Sequence, residues 1–293
     1  MPFHFRSQRQ VAAARRRQYI LAFIALGLVL AVVVCWLATR YYLSMADKEP
    51  AESAASSAPV TEVADTASSL LIINERGKER FVLIQFRPAE NKAYTLSLPA
   101  ATDCGNGQSL AAVLRKSGSP LAAEQASKVL GLPISHYLTL TIEQIETYVN
   151  YLEGGVSLNL PEAVTYINDS LVEAVLPAGT QQLAANQVGD LLRYDGWSDP
   201  QQSHTVAAAF VAAVLNQYMQ PEHRFGGDFA YLANLMLSDI RIDHYNAYAD
   251  TLSALADSNG DGNLCEPLTV QGETQNGLFL PNMEQLRQTA LYD

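Results

Sequence analysis

Carboxylates and amides at alternate positions hold hard cations, and one run in this 293-residue chain has that spacing. In "DSNGDGNLCE", Asp257, Asn259 and Asp261 alternate and Gly262 follows, as in the first half of a calcium loop. The twelfth position, where a bidentate Glu belongs, is Leu268, and Glu266 falls two residues early. The same letters also read as a polar Asx/Gly connection from a helix to a strand "LTVQG". A second question sits in "KAYTLSLPAATDCGNG", Lys92 to Gly107. Enzymes put charged residues at strand ends that open onto a cleft, yet this strand passes Pro99 into two methyl groups, Ala100 and Ala101. His204, His223 and His244 have no metal spacing with one another, and His136 leads a strand. There is no Gly-x-Ser-x-Gly, Cys-x-x-Cys or His-Glu-x-x-His, and "EGG", Glu153 to Gly155, is a helix stop lacking the rest of a phosphate loop.

The elements around these residues follow from periodicity. "LLIIN" from Leu70 is a short apolar run and reads as a buried strand; "RFVLIQF" and "AYTLSL", joined by "RPAENK", read as its neighbours. "PLAAEQASKVLG" is a helix closed by Gly131, and "TIEQIETYVNYL" puts Ile142, Ile145, Val149 and Leu152 on one face behind a capping box of Thr141 and Gln144. "VSLNLP" alternates as a strand, "TVAAAFVAAVLNQYM" and "DHYNAYADTLSALAD" read as helices, and "LANLMLSDI" as a core helix face with Met236 as filler. Strands alternating with helices over residues 70–293 predict one α/β domain of ordinary size.

The first 69 residues are of another kind. Tyr19 to Ala38 is an uncharged, mostly apolar run of about 20 residues, the length that crosses a bilayer and longer than the apolar part of a cleavable signal peptide, which is the other reading. A transmembrane helix is expected over 19–42, with Trp36, Tyr41 and Tyr42 at the interface, after a basic tail at 1–18. Five of the six early arginines precede the run, which puts the N-terminus in the cytoplasm and the domain outside. Residues 43–69 are Ala/Ser/Glu-rich and read as a disordered stalk or a frayed helix. Setting those six arginines aside leaves 13 basic against 30 acidic residues, a net of −17 for residues 47–293. Bulk charge therefore excludes nucleic acid as a partner. Cys104 and Cys265 fall in the outer part, and their pairing stays open from spacing alone.

Several segments together resemble the LytR-CpsA-Psr family of membrane-anchored cell-envelope proteins. "GLPISHYLTLTIEQIETYVNYLEGGVSLNLP" follows the family's strand–helix–Gly-Gly-Val–strand passage; "LPAGTQQLAANQVGDLLRY" resembles its Gly-x-Gln-x-Leu segment; "RFVLIQFRPAENKAYTLSLPAAT" resembles the hairpin into its Ser-Ile-Pro-Arg-Asp-Thr motif. The likeness covers roughly residues 70 to 220, and it implies an α/β fold with a mixed central sheet and helices on both sides. It implies transfer of a glycopolymer from a polyprenyl pyrophosphate onto peptidoglycan, with arginines on the pyrophosphate, carboxylates on Mg²⁺ and an apolar trough for the lipid.

Carried over position by position, the family's Asp-Ser-Arg is here Asn74, Glu75, Arg76, and its Ser-Asp-Thr is Lys78, Glu79, Arg80. Pro-Arg-Asp-Thr is Pro99, Ala100, Ala101, Thr102, so both charges are gone. An Arg-x-Arg pair is Arg193, Tyr194, Asp195, and the arginine-rich helix start falls in "DPQQSHTVAAAF", where His204 is the sole candidate cation. The resemblance thus leaves Arg193 and Arg76 on the pyrophosphate, Arg80 beside the substrate, and Glu79 with Asn74 for the metal. Trp197 follows Arg193 and is expected either at the pocket mouth or capping the core. A hydrogen bond to a charged group contributes about 1.5–3 kcal/mol, so losing several removes most pyrophosphate affinity.

Three functions are compatible with these letters: a non-transferring envelope scaffold that binds a polyprenyl-linked glycan, peptidoglycan or a partner; an altered transferase using Glu79, Arg76 and Arg193; and a calcium-dependent surface module built on Asp257, Asn259 and Asp261. A focused positive cleft would mark the transferase, and a neutral or acidic one the scaffold. The residues before the anchor are too few to build a DNA-binding domain.

Overall fold

The computed structural model describes residues 66–292 apart from 76, 106, 153, 169–170, 221–234 and 261. The expected tail (1–18), anchor (19–42) and all but the end of the stalk lie outside the described residues. Among those that are described, no helix is long and apolar enough to cross a membrane.

The apolar run from Leu70 does become a doubly buried strand. β1 (Ala67–Ile73) begins three residues earlier than expected and lies in the middle of the sheet. Its side chains alternate: Leu70 and Ile72 enter one core, Leu71 and Ile73 the other. Full burial of each such side chain contributes about 1.5–3 kcal/mol, so both faces hold this strand in register. β2 (Arg80–Arg87) pairs antiparallel with β1, and β3 (Lys92–Leu98) antiparallel with β2. β4 (His136–Leu140) joins the other side of β1 in parallel, so the sheet is mixed.

On one face lies α1 (Leu110–Leu130), which packs Leu110, Leu114, Ala122 and Leu130 beneath Leu70, Ile72 and Phe81. The sequence signalled only its second half. The helix breaks at Gly118 (φ 82°, ψ 179°), and Pro120 opens the segment that periodicity found; Gly131 closes it in the left-handed region. The other face is covered by α2 (Ile142–Tyr151) and further helices on that side. Thr141 caps α2 as expected: its Oγ accepts from the Gln144 N–H at 3.2 Å, and Gln144 Oε1 accepts from the Thr141 N–H at 2.8 Å. α2 stops at a turn in which a β-carbon on Gly155 would stand 2.2 Å from the Leu183 carbonyl, so this glycine is required by the strand passing over it.

Four strands then leave the central sheet. β5 (Val156–Leu160) pairs with β8 (Gly179–Leu183), and between them β6 (Val164–Ile167) and β7 (Glu173–Leu176) form a two-stranded ribbon. α3 (Ala185–Arg193) and α4 (Gln202–Tyr218) bury Val188, Leu191, Val206 and Phe210 in the core shared with Leu71 and Ile73. The expected core helix "LANLMLSDI" is corrected at its described end: β9 (Leu237–Ser238) is an edge strand on β4. Polar side chains pin it there, with Ser238 Oγ donating to the Tyr137 carbonyl and Asp239 Oδ1 accepting the Tyr137 N–H. α5 (Ile242–Ser258) follows as predicted.

"LTVQG" is also not a strand. β10 (Cys265–Leu268) adds in parallel to β3, after which the chain leaves the sheet for a hairpin of β11 (Gly272–Gln275) and β12 (Leu278–Pro281) and a short α6 (Met283–Leu286). At Gly272, where β11 begins its pairing with β12, a β-carbon would lie 2.3 Å from the Leu280 carbonyl, so no side chain fits there. Cys104 and Cys265 are free thiols in separate clusters, which answers the open pairing. Burial pushes the Cys265 thiol up to about 12.

Candidate functional site

The strand end that opened the question is closed. Ala100 and Ala101 pack their methyl groups against the α1 core. Their carbonyls accept from Ala111 N–H at 3.0 Å and Phe279 N–H at 2.9 Å, and Asp103 N–H returns a bond to the Phe279 carbonyl. Thr102, fully buried, donates its hydroxyl to the Pro99 carbonyl at 2.7 Å. The turn is therefore stitched to the start of α1 and to β12, and the place where the resemblance puts an arginine and an aspartate is packed.

The surviving cations are held by protein acceptors. Lys78 lies 2.9 Å from Asp195 Oδ2 and also donates to the Arg193 carbonyl. Arg80 is buried, donates to the Leu192 carbonyl at 3.3 Å and faces Asp195 Oδ1 at 4.0 Å. Burial lowers its pKa from the usual arginine value, while Asp195 and Glu79 oppose that shift. Arg80 is thus a framework cation beneath the surface and not a substrate contact. Arg193, half-exposed, donates to Glu146 Oε1 at 3.0 Å. Arg76 lies outside the described residues.

Asn74 and Glu79 lie just beyond the last β1–β2 pair, Ile73 with Arg80, on facing strands, but make a poor metal set. Glu79 is almost wholly buried and its Oε1 accepts from Arg115 at 3.1 Å. Asn74 is exposed and offers only an amide. One carboxylate already neutralised by a guanidinium, with one amide, does not fit Mg²⁺, which is held through carboxylates. The calcium spacing fares no better at its centre. Asn259 is 1% exposed; its Nδ2 donates to the carbonyls of Asn216 at 3.0 Å and Met219 at 2.7 Å, and its Oδ1 accepts from Leu264 N–H at 2.9 Å. It braces α4 to the loop with both polar atoms engaged, which is the connector reading; Asp261 lies outside the described residues. Among the described residues no group of three or more His, Cys, Asp or Glu is arranged to hold a metal ion.

A cleft of about 640 Å³ opens beside Arg193. Among the described residues its charged lining is two cations, Lys78 and Arg193, against four carboxylates, Glu143, Glu146, Asp190 and Asp195, with Tyr166, Tyr194 and Ile167 beside them. Both cations are already countered, so the cleft is acidic. Burial, then the nearby Asp190, raises the Tyr166 hydroxyl above its usual value. Trp197 is not at the mouth: it is 8% exposed, belongs to the core, and meets the Tyr194 ring edge-on at 5.2 Å between centroids. Sequence reasoning named Arg193 and noticed the sign of Asp195, but it missed Glu146 and Arg115. Their partners lie 47 and 36 residues away, and no local spacing carries such a pair.

Two smaller cavities lie elsewhere in the domain. Ser97 Oγ and His204 Nδ1, buried and without hydrogen-bond partners among the described residues, line a cavity of about 10 Å³ at the start of α4. Burial, reinforced by Arg80, pushes His204 down to about 4, so it is neutral at pH 7 and no substitute for an arginine. An apolar cavity of about 100 Å³ lies under α5 between Phe86, Tyr248, Leu252 and Leu255, with His136 and His244 stacked 4.9 Å apart on its wall.

No family model matches the chain, and no curated protein does. Solved structures match in shape. A protein from Eubacterium siraeum DSM 15702 assigned as a transcription regulator has a TM-score of 0.66 at 16% identity, over 75% of this chain and 87% of its own. B. subtilis TagV gives 0.58 at 16% identity, over 76% and 95%. TagT bound to LI-WTA gives 0.54 at 16% identity, over 77% and 88%. At such identities the likeness is one of fold, and the fold this chain carries is that of the LytR-CpsA-Psr type.

Proposed function

We propose that this chain is a cell-envelope member of the LytR-CpsA-Psr type that has given up pyrophosphate chemistry and works as a binding or regulatory scaffold. One observation carries the reading: the described arginines that the resemblance leaves at the site, Arg193 on the pyrophosphate and Arg80 beside the substrate, are each bonded to a protein acceptor, beside a cleft whose described lining has four carboxylates against two cations. Asp195 in particular sets its two oxygens towards Lys78 and Arg80, where an anionic ligand would otherwise be drawn. The closed strand end at Ala100 and Ala101 and the metal-poor pair Asn74 and Glu79 agree with it. The single-pass anchor, the outward orientation and a glycan or peptidoglycan partner are parts of the same proposal, supported by the apolar run, the arginine bias and the fold. The cavity under α5 is far too small for a polyprenyl chain.

An altered transferase is the competing reading, favoured by one fact: Arg193 and Lys78 do reach the cleft. Binding of a polyprenyl pyrophosphate to the full chain, with and without Mg²⁺, separates the two. The scaffold reading expects no metal-dependent binding. Metal-dependent binding that vanishes in Arg193→Ala would establish the transferase instead.

A further inference from the structure

Among the described residues seven large apolar side chains are exposed, and four of them sit on one ribbon. Ile167 (60% exposed) and Val175 (55%) share the outward face of β6 and β7 with Thr165 and Glu173, while Leu171 (86%) and Val172 (57%) stand at the turn. Single exposed apolar residues are ordinary on a protein surface, but four on one short ribbon mark it out. The turn is built. Asn168 N–H donates to the Val172 carbonyl at 3.0 Å, Asn168 Oδ1 accepts from Val172 N–H at 3.0 Å, and the Asn168 carbonyl accepts from Leu171 N–H at 2.8 Å. These bonds hold Leu171 at φ 58°, a left-handed conformation rare for a bulky residue.

Among the described residues, β6 and β7 pair only with each other, so each keeps one edge with unused backbone donors and acceptors. Tyr166, on the inner side of the ribbon, and Ile167, at the end of β6, both border the cleft, where among the described residues Glu143, Asp190, Asp195 and Glu146 outnumber Lys78 and Arg193. An apolar ribbon with free edges, bordering a cleft of net negative charge, matches one kind of occupant. We infer that the ribbon and cleft together dock an extended segment of a protein partner in which apolar and basic residues alternate. Strand addition to the ribbon supplies backbone hydrogen bonds; the apolar residues cover Ile167, Leu171, Val172 and Val175; the lysines or arginines on the other side face the carboxylates. The net −17 of the outer region steers such a segment in. This inference rests on the scaffold reading, in that the cleft serves a partner instead of a pyrophosphate.

The test uses the full chain in phosphatidylcholine nanodiscs, with empty discs as reference, and fluorescence anisotropy of a labelled peptide of alternating Leu and Lys. Binding is expected, weakening as salt rises. Leu171→Ser with Val175→Thr weakens it by at least about tenfold, as loss of central apolar contacts does. Glu143→Gln, on an exposed helix position that leaves the core untouched, weakens it by about threefold. Equal binding of a control peptide of alternating Leu and Glu overturns the inference, as does indifference to the ribbon substitutions. Complete displacement by spermidine assigns the cleft to simple amines and also overturns it. So does a dimer in sedimentation that the ribbon substitutions dissolve, since a second copy would then be the occupant. Metal-dependent polyprenyl pyrophosphate binding alongside intact peptide binding would sink the scaffold reading and leave the docking surface standing. A silent peptide with no pyrophosphate binding does the reverse.

Discussion

The carboxylate of Glu146 lies where a side chain on Gly189 would begin: a β-carbon there would stand 1.7 Å from Glu146 Oε1. Glycine in the middle of α3 thus makes room for the acid that holds Arg193 at 3.0 Å. Gly-to-Ala in a helix interior ordinarily stabilises by about 0.8–1 kcal/mol. Here Gly189→Ala should give no such gain, because it evicts Glu146 and breaks the pair. In the Glu146→Ala background the same change should recover roughly 0.5–1 kcal/mol. Denaturant unfolding of the four chains measures the coupling, and additive effects would show that the ion pair and the glycine are unrelated.

His204 gives a pH signature. Its folded pKa is depressed to about 4, below the ordinary value of 6.5. The unfolded chain therefore binds the extra proton between those values, and stability falls as pH drops from about 6.5 towards 4. Above 6.5 this group contributes no slope. The full loss is on the order of 3 kcal/mol. His204→Gln should flatten the stability profile over that window relative to the natural chain; parallel profiles would mean that the imidazole is not buried.

Asn259 should behave as a brace. Asn259→Ala removes three hydrogen bonds from a buried site, and the expected cost is about 2–4 kcal/mol. Millimolar calcium should leave the melting temperature of the natural chain where it was. A rise of several degrees with calcium, lost on Asp257→Asn, would restore the surface-module reading.

The thiols can be counted. In a chain carrying Cys35→Ser, a thiol reagent at pH 8 should modify half-buried Cys104 in the folded state and Cys265 only on unfolding. Denaturation without reductant should expose both. Finding neither would mean that they form a bond.

Much of the framework was legible because it is local. The alternation of Leu70 to Ile73, the Thr141–Gln144 cap, the stop at Gly131 and the apolar stripe of α4 are set by neighbours within a few residues, and each took the form its pattern implied. The segments that misled were those where a distant element overrode the local pattern. Leu237 and Ser238 became an edge strand because β4 offered hydrogen bonds, and "LTVQG" was divided because Leu268 pairs with β3 while Gly272 pairs with β12.

The functional surface divides the same way. Sequence alone determined which charges are absent: no folding can return an arginine to Ala100 or a second cation to Asp195. It could not determine what became of the charges that remain. Arg80 was as promising as Arg193 in the letters, yet one is sealed against the Leu192 carbonyl and the other lines a cleft. Asn259 kept a ligand's spacing while its amide was drawn inward to α4. Spacing along the chain fixes which groups exist and which local bonds they can make. Desolvation and pairing act through space, between residues dozens of positions apart, and only the tertiary structure decides which cation meets which carboxylate.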